Sequence, residues 1–479
     1  MMRIQDQAVL DENAAALGVP RKQLMESSGH AVARVVREVA DADSEVAIVA
    51  GRGNNGGDAF VTARFLDDYD GSVHLLGRAE TITTDIAREN WDALQRAELD
   101  AREVRDSADL DLGSPDVIID AMLGTGVTGA LREPEATAAQ RINDADATVV
   151  AVDVPSGVNA DTGEAAGVAV EADHVVTFHE TKPGLAAVDA DVTVADIGIP
   201  ETAERFVERG DLLRLSRDPA SHKGDHGEVL VVGGGPYTGA PALAAQSAFR
   251  AGADLVRVAC PESVASEVQS FEEGIITRAF AGEMLQPTHV DQLLDRAVQH
   301  DVVVFGPGLG DANGTLEAVG EFLEAFDGRA VVDADALQVV PDVETDATLL
   351  CTPHQGELQA MGGETDEDWR ERNDLVAGFA DDIGHTLLVK GAYDVISDGE
   401  MTRVNRTGNP GMTVGGTGDV LAGAAGALLC TQDPVDAGAI AAYANGRAGD
   451  IVVEDRGFGL TAADLLDALP TALWGDQDE

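Results

Sequence analysis

The chain has 479 residues, 44% of them hydrophobic, enough for buried cores in about two to four domains at roughly 150 residues each. Its 86 acidic and 32 basic residues give a formal charge of −54. That balance excludes nucleic acid as a partner, because neutralising phosphates needs clustered Lys and Arg, and it disfavours an anionic membrane surface for the same reason. The acidity is spread along the chain rather than gathered in a tail. It reads as a solvated surface whose self-repulsion high salt would screen, so a halophilic source is expected. The lysines are Lys22, Lys182, Lys223 and Lys390, and the remaining Lys/Arg positions are arginine. Cys260, Cys351 and Cys430 are widely spaced and imply neither a metal cluster nor a disulfide framework. No apolar run is long enough to span a bilayer and no basic-then-apolar leader opens the chain. A cytoplasmic protein that engages no membrane is expected.

Apolar runs at 46–50, 73–76, 116–119, 148–152, 174–177 and 192–195 predict strands. The stretches 20–40, 57–69, 83–97 and 134–145 predict helices between them. This alternation predicts a parallel, doubly wound sheet. Over 198–225 the pattern breaks into a charged segment with two prolines, which places a boundary at about 208. A second series follows, with EVLVVGG at 228–234, a helix at 240–252, LVRVA at 255–259 and VVVFGPG at 302–308. AVVDAD at 330–335, TLL at 348–350, HTLLVKG at 385–391 and a Gly/Ala-rich helix at 416–430 complete it. The expected fold is α/β: a Rossmann-like three-layer αβα domain over 1–208, then a second αβα domain over 209–479. Glycine-rich loops stand at the C-terminal strand ends of both, where open α/β sheets bind ligands.

In the first domain, strand 46–50 is followed by Gly53, Asn54, Asn55, Gly56, Gly57 and Asp58. The glycines permit positive φ and close backbone approach to a ligand. The asparagines bring uncharged amide donors and acceptors, and Asp58 either serves the ligand or favours the helix dipole. Asp120 and the run Gly124, Thr125, Gly126, Val127, Thr128, Gly129 follow strand 116–119; Asp153, Pro155 and Ser156 follow strand 148–152. Asn55, Asp120 and Ser156 are oxygen donors at three strand ends, a set that suits a hard cation, and with one carboxylate a monovalent ion better than a divalent one. Asp153 sits on a Pro-stiffened turn, a good mount for an acid or base. The GTGVTG loop can wrap a phosphate with backbone N–H groups.

NNGGD, DAMLGTGVTG and DVPSG, in this order and spacing, resemble the YjeF N-terminal domain, the NAD(P)H-hydrate epimerase, over about residues 1–205. The resemblance implies K+ held by Asn55, Asp120 and Ser156. It also implies a hydrated dinucleotide bound by Asn54–Asp58, by Gly124–Gly129 with Ala130, and by Asp153 as acid/base. Ala59 departs from the family, which usually has a third glycine there.

In the second domain, Gly415-Gly416-Thr417-Gly418 opens a helix whose free N–H groups and positive dipole end suit an anion. Asp419 lies in its first turn. A base beside an anion-binding loop is what phosphoryl transfer to a hydroxyl needs. HKGDHGEVLVVGG, the helix beginning YTGAPALAAQ, GPGLG, DADAL, TPHQGE, VKGAYD and NPGMTVGGTGDVLAG resemble the YjeF C-terminal domain over about 209–475. That family is a ribokinase-like ADP- or ATP-dependent NAD(P)H-hydrate dehydratase. The resemblance places Ala240, Gly308, His354 and Asp419 at the hydrate, with Asp419 as base, and Lys390, Gly391, Ala392, Tyr393, Asp394 and Gly418 at the nucleotide. It implies NADHX, NADPHX and ADP or ATP as small-molecule partners. Mg2+ is expected on the nucleotide on general grounds, to neutralise its phosphates; a homo-oligomer is expected, and the acidic, lysine-poor composition points to a halophilic archaeon as source. Two alternatives stay open: a ribokinase-like small-molecule kinase, and a non-catalytic dinucleotide-binding sensor or scaffold.

Overall fold

The computed structural model describes residues 4–126 and 129–475. They divide into two compact units, the first ending at Ala203 and the second beginning at Glu204. The first unit is built on β1 (Glu45–Ala50), β2 (Asp70–Leu76), β3 (Ala101–Val104), β4 (Val117–Ala121), β5 (Thr148–Val152), β6 (His174–Phe178) and β7 (Asp191–Ala195). All pairs are parallel, in the order β3-β2-β1-β4-β5-β6-β7. The central strands are near-continuous apolar runs because helices cover both faces. In β1, Val46, Ile48 and Ala50 enter one core, while Ala47 and Val49 enter the other. The chain winds outward from β1 to β3, then returns to β4 beside β1, so the switch point lies between β1 and β4.

The second unit carries β8 (Glu228–Val232), β9 (Leu255–Pro261), β10 (Ile276–Phe280), β11 (Val302–Phe305), β12 (Arg329–Val332), β13 (Thr348–Cys351), β14 (Thr386–Val389), β15 (Asp394–Ser397) and β16 (Thr402–Asn405). Their order is β10-β9-β8-β11-β12-β13-β14-β15-β16, with a switch between β8 and β11. The pairs from β10 to β14 are parallel, and β14–β15 and β15–β16 are antiparallel. The Gly/Ala-rich helix Thr417–Leu429 packs on the helix Gly239–Arg250 so closely that a Cβ on Gly423 would lie 2.0 Å from the Ala244 carbonyl oxygen. That contact fixes where the helix's N-terminus emerges. Residues just after Glu204 belong to this unit: Val207 donates to the Val404 carbonyl (3.0 Å), and Arg403 Nη2 grips both Asp211 oxygens at 2.8 and 2.9 Å.

Two expectations are corrected. The NNGG stretch is not a loop, and its helix does not start at 57: it runs Asn54–Phe65. Gly56 is helical, and its missing Cβ lets the first turn rest on β1, where a Cβ would meet the Gly51 carbonyl at 2.1 Å. Tertiary packing overrides the weak helix propensity of Asn and Gly here. Ala59, where the family usually has a third glycine, is fully buried in the core. β3, β10, β15 and β16 carry no apolar run that marked them as strands.

Candidate active sites

The first site lies at the C-terminal ends of β1, β4, β5 and β6. The helix Asn54–Phe65 begins directly after β1 and brings Asn55 to the turn that follows β4. Asn55 donates its amide to the Leu123 carbonyl (3.2 Å), and the Leu123 N–H donates to Ser156 Oγ (3.1 Å). Ser156 in turn donates its hydroxyl to Asp120 Oδ1 (2.7 Å) and its backbone N–H to Oδ2 (2.8 Å). Asn55, Asp120 and Ser156, read separately from three strand ends, are thus one cluster. Asp120 is wholly buried, and burial pushes its carboxyl up to about 6 although the Ser156 and Met122 hydrogen bonds pull it down.

Gly124 abuts Asn55, with 3.6 Å from the position of its absent Cβ to the Asn55 Cγ. Gly129 and Gly157 line a small cavity of about 140 Å³, and Ala130 stands against Gly167. Val127 and Thr128 lie outside the described residues. Asn54 is exposed, whereas Gly56, Gly57 and Asp58 are buried. Burial, then the charges of Asp153 and Asp11, push the Asp58 carboxyl well above the usual range.

Asp153 adopts a φ of +66°, a strained conformation for a residue with a side chain. Its backbone N–H donates to the Val176 carbonyl of β6 (2.8 Å), which holds it there. Its Oδ1 accepts from the Thr177 hydroxyl (3.1 Å) and forms an ion pair with Lys182 Nζ (2.8 Å). Motif reading gave Lys182 no role. Its signal was there: an ammonium in a chain with four lysines, beside a glycine turn.

The second site follows five neighbouring strand ends, β8, β11, β12, β13 and β14. Gly308, after β11, adjoins Ala240 at the head of the helix after β8, with 3.2 Å between Ala240 Cβ and the position of the absent one. Asp333, after β12, accepts from Thr352 Oγ1 (2.7 Å) and pairs with Lys390 Nζ (3.1 Å). Lys390 Nζ also stands 3.6 Å from Glu357 Oε2 and beside Gly418, 3.5 Å from the position of its absent Cβ. Burial disfavours this ammonium, but Asp333 and Glu357 outweigh it and hold it above its ordinary value.

Gly416, at φ +97°, caps the helix Thr417–Leu429. Asp419 is in the first turn. Burial, and next the charge of Asp333, raise its carboxyl to about 7 against the pull of Lys390. His354, Lys390, Gly391, Ala392, Asp394 and Gly418 line one cavity of about 730 Å³. His354 also serves the fold, because its Nδ1 accepts from the Glu357 N–H (3.0 Å) and so caps the helix Gln355–Ala360. Tyr393 stacks on Trp369 (centroids 5.4 Å apart, 16° between planes), and its carbonyl accepts from Arg372 (2.7 Å), so the 390–394 turn is braced from outside the cavity. Asp333 and Thr352 were not singled out from the sequence; the acid that ends the β12 run was the available signal.

A parallel sheet and a mostly parallel one, each with polar side chains gathered beyond the C-terminal ends of its strands, and a helix N-terminus set beside a carboxyl held near 7, are the arrangement of a two-unit α/β enzyme. Comparison with known proteins makes the class specific. The family model described as NAD(P)H-hydrate dehydratase matches residues 229–471, and that of the YjeF-related protein N-terminus matches 21–184. The bifunctional NAD(P)H-hydrate repair enzyme Nnr of Methanothermobacter thermautotrophicus is 42% identical, covering 99% of this chain and 95% of the relative. That of Pyrobaculum aerophilum is 43% identical, covering 97% and 96%. Among solved structures, the ADP/ATP-dependent NAD(P)H-hydrate dehydratase of Bacillus subtilis, co-crystallized with ATP/Mg2+, matches with a TM-score of 0.50 and 26% identity over 56% of this chain and 97% of that one.

The chain belongs to the family of bifunctional NAD(P)H-hydrate repair enzymes, with an epimerase domain followed by a dehydratase domain. Its activity is NAD(P)H-hydrate repair. Neither the kinase nor the scaffold alternative is favoured. Among the described residues, no helix is long and apolar enough to cross a membrane.

Proposed function

We propose that dehydration takes place between Asp419 and the N-terminus of the helix Thr417–Leu429. The observation that carries this is a carboxyl held near 7, one residue beyond Gly418 and within the field of Lys390. Asp419 takes the proton of the C6 hydroxyl as that oxygen bonds to the terminal phosphorus of the nucleotide and the bond from this phosphorus to the bridging oxygen breaks, so that AMP leaves from ADP, or ADP from ATP. Lys390 and the free N–H groups at residues 415–418 stabilise the transferring phosphoryl charge. Phosphate then leaves with the C6–O electron pair, the N1 lone pair compensates, and loss of a C5 proton restores the dihydronicotinamide. Ala240, Gly308 and His354 contact the hydrate; Lys390, Gly391, Ala392, Tyr393, Asp394 and Gly418 contact the nucleotide. Mg2+ is assigned to the nucleotide phosphates, whose charge it neutralises, with no protein ligand named.

In the first domain, Asp153 is the acid/base at C6, and Asn54–Asp58, Gly124–Gly126, Gly129 and Ala130, with Val127 and Thr128 between them, bind the dinucleotide. The cluster of Asn55, Asp120 and Ser156 fits K+. It offers oxygens alone, and the buried Asp120 carboxyl is answered by hydrogen bonds rather than by a cationic side chain. A monovalent cation there would supply that charge and fix the turn after β4. The acidic, arginine-rich surface suits a halophilic archaeal cytoplasm, and a homo-oligomer remains part of the reading.

The test is an absorbance assay in high KCl with NADH hydrate containing both epimers, ADP or ATP, and Mg2+. Return of the dihydronicotinamide band to completion supports both centres. Recovery that stops when the S form is used up refutes the epimerase assignment, and none with either nucleotide refutes the dehydratase assignment.

A further inference from the structure

Lys182 is 3% exposed, the one lysine in the buried class among the described residues. Its Nζ reaches Asp153 Oδ1 at 2.8 Å, Thr177 Oγ1 at 2.9 Å, the Phe178 carbonyl at 3.0 Å and the Glu180 carbonyl at 3.3 Å. The three ammonium protons thus face four oxygen atoms within 3.3 Å of one nitrogen, a compact set that suits an ammonium better than a planar guanidinium. The chain uses arginine almost everywhere else, so lysine here answers a local requirement. Thr177 Oγ1 also donates to Asp153 Oδ1, at 3.1 Å. Oδ1 is therefore held twice, whereas no hydrogen bond among the described residues reaches Oδ2, and the Asp153 side chain keeps 15% of its exposure.

We propose that Lys182 is the positioning residue of the epimerase centre: with Thr177 it pins Oδ1 of Asp153 and leaves Oδ2 as the atom that exchanges protons with the substrate hydroxyl. The inference rests on the reading of Asp153 as the acid/base. The strained backbone at Asp153 gives the pin its purpose. A carboxylate on a left-handed residue needs an outside anchor to keep one orientation, and misplacing a reacting group by about 1 Å costs on the order of a hundredfold in rate. The charged groups that act on Asp153 are Lys182, Asp58 on the helix after β1, and Asp11 on the helix Ile4–Ala16. Lys182 is the cation among them.

The test compares Lys182→Met, Lys182→Arg, Thr177→Ser and Asp153→Asn in the full chain, with the R hydrate of NADH as substrate. Dehydration of the S hydrate by the same molecules reports on the second domain, and thermal unfolding reports on the first. Lys182→Met is expected to lower the kcat of epimerisation about ten- to hundredfold with KM within about threefold. Lys182→Arg does not restore the rate, and Thr177→Ser retains it. A Lys182→Met enzyme with unchanged kcat overturns the proposal, as does a loss of rate that tracks thermal unfolding or one that Lys182→Arg fully restores. If Asp153→Asn keeps full epimerisation, it is instead the underlying reading of Asp153 that fails.

Discussion

Lys390 and Asp333 meet across the end of β13, Nζ to Oδ1 at 3.1 Å, although 57 residues separate them in sequence. The pair joins two motifs that the sequence shows apart, VKGAYD and DADAL, and sets a cation and an anion against Asp419. Asp333 raises the Asp419 carboxyl and Lys390 lowers it, so the base is tuned by an ion pair that arises only in the folded chain.

Replacing Asp419 by Asn removes the proton acceptor and keeps the shape. Dehydration of the S hydrate should fall by about 10²- to 10⁴-fold, with nucleotide and hydrate affinities within a few-fold by calorimetry. Normal turnover would exclude Asp419 as the base.

The pH dependence follows from the same group. With its carboxyl near 7, the deprotonated form is lost as pH falls, so kcat/KM for dehydration should drop about tenfold per pH unit below 7 and level off above it. The native state holds this proton between the ordinary 3.8 and about 7. The group therefore lowers stability as pH rises through that window, and Asp419→Asn should flatten that part of a stability-against-pH curve.

Asp153→Asn should stop conversion of R to S and spare dehydration of S material, because the two centres belong to different domains. Stopped assays on separated epimers distinguish the activities. Parallel loss of both would contradict the assignment of two sites.

Ser156→Ala leaves the wholly buried Asp120 without its 2.7 Å hydroxyl bond. The expected cost is about 1–3 kcal/mol of first-domain stability, read by urea unfolding. The stabilisation by KCl over NaCl should shrink as well if the cluster holds K+; equal salt effects in both proteins would count against that site.

A charge of −54 makes self-repulsion grow as salt is withdrawn. The thermal midpoint should fall steadily from molar KCl to dilute buffer. A midpoint indifferent to salt would remove the halophilic reading.

Much of the fold was legible because a parallel strand covered on both faces must be apolar throughout. β5, predicted at 148–152, is Thr148–Val152, and the Gly/Ala-rich helix predicted at 416–430 is Thr417–Leu429. Edge strands were legible only in part: β7 was, but β3 reads AREV and β16 reads TRVN. In β16 the polar Arg403 and Asn405 are buried on partners, Asp211 and Asp394, that no local pattern announces. The candidate sites were legible where chemistry and turn geometry fall within a few residues, as at Asn55, Asp120, Ser156 and Asp419.

The sequence by itself determined the two α/β series with their central strands, the glycine-rich turns at the strand ends and the acids those turns carry, since these depend on local burial and backbone geometry. Tertiary structure alone decided that Asn54 begins a helix, that Lys182 pairs with Asp153, and that the Asp333–Lys390 pair acts on Asp419. Those outcomes depend on which strand ends become neighbours. Burial then sets the charges against one another at distances that no spacing in the sequence encodes.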